Sequence, residues 1–184
     1  MIKPYQETWR ELESAALRVL EKPELFDDGL VRTELVRTIR VWHYPSFEPY
    51  ISWHLFMPIP RGSTLPATVI KAIWDQRGDR ERFYNPLVGV KHEYKLTSRP
   101  TIEMQTGSLD SAQVRMLVQE ASLLTVSLAV EEGGVTIDGS VFGVELNANG
   151  TKCEFEWNNP ERPWADLTKF VERVFAIGHT SLGR

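Results

Sequence analysis

The sequence predicts an α+β domain: a mainly antiparallel sheet of about eight strands with three amphipathic helices packed on it. Three observations carry that expectation. The hydrophobic period is helical near the N-terminus, alternates from about residue 34, and returns to helical spacing near 111 and 164. Successive alternating runs are joined by short stretches bearing Pro or Gly, which suit hairpins, and no regular strand–helix–strand alternation is present. The order is therefore helix, five strands, helix, three strands, helix.

The first helix spans residues 6–21, where Trp9, Leu12, Ala16, Val19 and Leu20 form one apolar stripe and Pro23 stops it. Phe26 to Gly29 reads as a turn. Strand one, about 34–44, puts Ile39, Val41 and His43 on one face and Arg40, Trp42 and Tyr44 on the other. Strand two, about 50–57, sets Ile51, Trp53, Leu55 and Met57 against Tyr50, Ser52, His54 and Phe56. Strand three, about 67–75, is likewise apolar on both sides. A sheet solvated on one side alternates apolar with polar residues, so these three strands need cover on both faces.

Strands over 89–97 and 100–106 are half polar and belong nearer an edge. Asp110 with Gln113 resembles a capping box and opens a helix over 111–124. Three short strands follow, marked by Val135 and Ile137, by Phe142, Val144 and Leu146, and by Cys153, Phe155 and Trp157. Asp138-Gly139 and Asn149-Gly150 are their turns. Beyond Pro160 and Pro163, Trp164, Leu167, Phe170, Val171, Val174 and Phe175 mark the last helix, ending near Gly178.

A length of 184 residues suits one domain, with a weak boundary at 107–110 as the alternative division. Hydrophobic content of 42% and charged content of 25% are those of a globular chain, and the lone Cys153 excludes an internal disulfide. A net charge of −4 with a pI near 5.6 argues against nucleic acid as the partner. The basic residues of Arg77 to Arg82 are interleaved with acids and read as a solvated loop. No apolar run reaches the roughly 18 to 20 residues of a membrane span, so a cytoplasmic setting is the expectation. In that setting the Arg77-Gly78-Asp79 tripeptide and the Asn149 sequon carry no meaning.

Candidate chemistry is sparse. His43 and His54 fall on opposite faces of the hairpin by parity, His92 and His179 have structural explanations, and none of the four has zinc-ligand spacing. Cys153 shares the parity of Phe155 and Trp157 and reads as a buried small hydrophobe. No nucleophile elbow, phosphate loop or dinucleotide fingerprint is present, and no metal or other cofactor is expected. Glu145, Glu154 and Glu156 share one sheet face, as a charged edge or a cation site would.

Residues 109–178 resemble small uncharacterised bacterial proteins through the helix after Leu109, Phe142-x-Val144-x-Leu146, Phe155-x-Trp157 and Trp164-x-x-Leu167. Some of those are immunity or accessory proteins, so the resemblance implies binding without catalysis. The order of elements is also similar to that of secretion-chaperone-like folds, with three extra strands.

The expectation is a non-enzymatic protein that binds another protein or a second copy of itself, with Trp42, Tyr44, His54 and Phe56 as the candidate interaction face. A small hydrolase or isomerase using His54 or His43 with a carboxylate is the second reading, and an apolar ligand carrier the third. The exposure of those four residues in the isolated chain separates interface from core.

Overall fold

Leu12, Ala16, Val19 and Leu20 recur at helical spacing and are buried along one side of helix α1 (Tyr5–Glu21), as their pattern predicts. The structure is a computed structural model that describes residues 5–26, 34–59, 64–84, 99–125, 139–148, 150–158 and 164–183. Pro23 converts the chain after α1 into a short 3-10 turn, Pro23–Leu25. Strands β1 (Leu35–Pro45), β2 (Tyr50–Pro58) and β3 (Ala67–Trp74) follow, then helix α2 (Gln76–Tyr84), strand β4 (Ile102–Leu109) and helix α3 (Ser111–Ser122). Strands β5 (Ser140–Ala148) and β6 (Thr151–Asn158) and helix α4 (Ala165–Leu182) complete the described elements.

The six strands form one antiparallel sheet in the order β4-β3-β2-β1-β5-β6. Strands from both sides of residue 110 thus share a single sheet. Its first face carries Ile39, Val41, Trp53, Leu55, Val69, Phe142 and Val144, packed with Val114 and Leu117 of α3 and Phe170, Val171 and Val174 of α4. On the second face, Ala16 and Leu20 of α1 pack on Ala72 and Trp74, flanked by Trp9, Tyr44 and Tyr50. The two-sided aromatic pattern is therefore that of central strands covered by helices on both sides.

Six strands and four helices are present among the described residues, where about eight and three were expected from periodicity. The expected strands at 89–97 and at Val135 to Ile137 lie outside the described residues, as does most of the expected turn at Phe26 to Gly29. Arg77 to Arg82 is a helix and not a solvated loop. Two local features make it one. The Asp75 carboxylate accepts from the Gly78 N–H at 2.9 Å, as an N-cap does, and Arg77 pairs with Glu81 one turn on at 2.8 Å. Asp79 turns inward, where it accepts from Trp74 Nε1 and from the Thr101 N–H, each at 2.8 Å, and so fastens α2 to β3 and β4.

Cys153 is exposed, contrary to the core reading. It lies near the start of edge strand β6, whereas the cover supplied by α4 reaches Trp157 at the far end, where Trp157 Nε1 donates to Thr168 at 3.1 Å. Helix α4 also runs past Gly178. A β-carbon at that glycine would lie 2.4 Å from the Trp53 ring, so the residue lets the helix sit on the indole instead of ending there. No described helix is long and apolar enough to cross a membrane.

Gly143 plays the same part on the second face, since its β-carbon would fall 2.0 Å from the Trp42 ring. Gly143→Ala should cost about 1 to 3 kcal/mol through overpacking. Denaturant midpoints will show the effect, and adding Trp42→Leu should recover part of the loss. Fully additive losses would mean that the two residues do not collide.

Candidate functional site

Alternation along β1 would place Arg37 with Ile39 and Val41 on the first face. A bulge intervenes: Arg37 pairs with Phe56 and Ile39 with Leu55, leaving Thr38 as the extra residue. Arg37 is thereby carried to the second face, beside Arg40. Register then sets Glu154, Glu145, Arg40, His54 and Ile70 in one row across the sheet. Four of those five side chains are polar, and Arg40, His54 and Glu145 are buried.

The row lies under the end of α1. His54 Nε2 is 3.0 Å from the Leu20 carbonyl, so that nitrogen carries the proton and donates to it, with Ser52 Oγ at 3.1 Å. Arg37 Nη1 donates to the Glu21 carbonyl at 2.5 Å. Both carbonyls belong to the last turn of α1, where no intrahelical donor remains. Two side chains of the sheet therefore cap the helix from below.

Arg37 also donates to Glu145 at 3.0 Å and lies 3.5 Å from Glu24, while Arg40 and Lys152 approach the other oxygen of Glu145 at 3.7 and 3.3 Å. One buried carboxylate thus serves three cations. Arg40 lies over the Trp42 ring, 4.2 Å from its centroid. Arg40 Nε, Trp42 Nε1, His54 Nδ1 and Glu24 Oε2 are buried without a hydrogen-bond partner among the described residues. In a site of low dielectric such atoms cost stability, which makes this region electrostatically tight and sensitive to any added charge.

The four residues of the expected interaction face are placed plainly. Trp42, His54 and Phe56 are 1%, 0% and 4% exposed, and Tyr44 is half-buried and stacked on Tyr50 at 4.8 Å. Three of them are core of the second face and Tyr44 packs at its margin, so the four do not form an open surface in the folded chain. His43 is on the first face, stacked on Phe142 at 4.2 Å, so the two histidines stand on opposite sides of the sheet as parity predicts. His179 packs edge-on against Trp53 within α4, and His92 lies outside the described residues. Glu145 is not part of a solvated carboxylate edge, because Arg37 and Lys152 engage it. No group of His, Cys, Asp and Glu suited to a metal ion occurs among the described residues.

Sequence reasoning did not bring Arg37, Arg40 and Glu145 together beside His54. The available signal was Arg40, a charge in the middle of an aromatic face. No family model matches the sequence, and no curated protein and no solved structure resembles it above the level of chance.

Burial holds the His54 pKa well below 6.5, and the charges of Arg37 and Arg40 add to the effect against the pull of the Leu20 carbonyl. The folded chain therefore leaves His54 neutral where the unfolded chain protonates it. Stability should fall as pH drops below about 6.5, by up to about 1.4 kcal/mol per pH unit for this one proton. His54→Gln keeps a donor for Leu20, and should flatten the profile of urea midpoints between pH 6.5 and 5 relative to the parent chain. Equal slopes would show that His54 is not the group responsible.

Glu145 titrates in a separate, more acid window. Burial alone would raise its pKa, but Arg37 and Lys152 outweigh that and lower it below 4.5. Its contribution is present above that value and is lost as pH falls further. At neutral pH, Glu145→Gln should cost about 3 kcal/mol, because it leaves buried arginines without their counter-charge. Thermal or urea unfolding measures this directly.

Proposed function

We propose that the protein works by binding another protein, not by catalysis, and that it does so at the end of the sheet where α1 finishes. The observation that carries this is the distribution of exposed apolar side chains. Leu25 and Phe26 follow α1, Val36 opens β1, Ile59 follows β2 and Leu65 precedes β3; these are five of the nine large exposed hydrophobics among the described residues. Antiparallel register brings the start of β1, the end of β2 and the start of β3 to the same end of the sheet. The bond from the Ile59 N–H to the Glu34 carbonyl and the approach of Arg37 to Glu24 tie the flanking segments together there. Apolar residues gathered in this way, bordered by charge, are the usual composition of a partner surface.

Among the described residues the histidines supply no competing acid–base set. The only proton of neutral His54 is committed to Leu20, and His43 faces the other side of the sheet.

A photo-crosslinking residue at Ile59 should yield one discrete heavier adduct in cells, while the same residue at Lys169, exposed on α4, should yield none. Phe26→Ser should suppress the Ile59 adduct and leave the unfolding midpoint nearly unchanged, since a surface substitution alters stability by about 0.5 kcal/mol or less. Identical patterns at 59 and 169, or no adduct at either, would count against this surface.

A further inference from the structure

We propose that edge strand β6 pairs antiparallel with β6 of a second copy, in the register that sets Cys153 opposite its own counterpart. The proposal does not depend on the apolar end of the sheet. Strand β6 is an edge in the described sheet, and six of its eight residues are exposed. Lys152, Glu154 and Glu156 line one face and Cys153, Phe155 and Trp157 the other.

Directly opposed residues of an antiparallel pair share a face, so each two-fold register centres on one residue of the strand. Centring on Lys152, Glu154 or Glu156 sets like charges against each other. Centring on Phe155 opposes Glu154 to Glu156 twice. Centring on Cys153 alone opposes Lys152 to Glu154, and it does so twice by symmetry. Among the registers centred on residues 152–156, the charges that discourage general strand addition therefore favour this one.

The interior of the chain supplies a second reason. Glu154 lies directly across from Glu145 in the β5–β6 ladder, a like-charge pair relieved by Lys152 at 3.2 and 3.3 Å from the two carboxylates. A lysine arriving from the open side of β6 meets the exposed Glu154 carboxylate, which shares Lys152 with Glu145.

Backbone geometry adds a readout. Ala148 pairs with Thr151 across a two-residue turn in which Gly150 has φ 79°. The closing pair of such a turn is hydrogen-bonded, and so, two residues on, is Leu146 with Cys153. The backbone groups of Cys153 thus point towards β5, which makes the Cys153 pair between copies a non-hydrogen-bonded one. Its α-carbons would be about 4.5 Å apart, within the span a disulfide accepts.

Sedimentation of the full chain should show a concentration-dependent dimer. Diamide, a diazene that takes up the two electrons and two protons of a thiol pair, should convert it to a disulfide-linked dimer through Cys153, the only cysteine. Glu154→Lys faces Glu145 and should preserve the fold, yet it should weaken the dimer about tenfold or more by placing lysines opposite each other. Combining it with Lys152→Glu should restore both association and cross-linking. A chain that stays monomeric at all concentrations, a dimer indifferent to Glu154→Lys, or a dimer that resists oxidation at Cys153 would each overturn the proposal.

Discussion

Leu20 and Glu21 end α1 with carbonyls that no later turn can use, and the sheet answers them with His54 and Arg37. The rest of the second face depends on this union. With the helix end fixed, Ala16 and Leu20 reach Ala72, and Trp9 at the other end stacks on Trp74 with ring centroids 6.2 Å apart. The donors stand on strands whose opposite side is held by α3 and α4. Position on one face is thus guaranteed by packing on the other.

Ion pairing in the row beneath α1 serves geometry more than stability. Removing two arginines and a carboxylate from water costs free energy that their attraction only partly returns. What the arrangement does give is direction: Arg37 bridges Glu21, Glu24 and Glu145, and so relates the helix end, the 3-10 turn and β5 in one place. Apolar contacts could tolerate a slid helix. A guanidinium shared among three oxygens is much less forgiving.

The architecture was legible wherever one periodicity ran without interruption. The stripe of α1, the alternation of β2 and β3, and the cap at Asp110, which accepts from the Ala112 N–H at 2.8 Å, all follow from residue spacing. Two kinds of information were not local. Arg77 to Arg82 looks polar all round, and only Trp74 just before the helix and the distant Thr101 reveal that Asp79 is an internal acceptor. Arg37 has the wrong parity in the sequence, since nothing near Thr38 announces a bulge. His54 sits on a face that strand alternation requires to be covered, but its partner lies 34 positions away in another element. The aromatic run from Trp42 to Phe56 likewise identified a buried face before it could identify what covered it.

The bulge at Thr38 also governs how this chain tolerates changes in length. Arg37 already opposes Phe56 and Ile39 already opposes Leu55, so losing Thr38 would close the gap between them and leave both facing as they do now. Losing a residue from the regular part of β1 would instead turn one end of the strand over, exchanging Arg40 or Trp42 with the apolar residues of the opposite face. The strand therefore has one position at which a deletion is neutral in register, next to many at which it would invert the sheet's two chemistries.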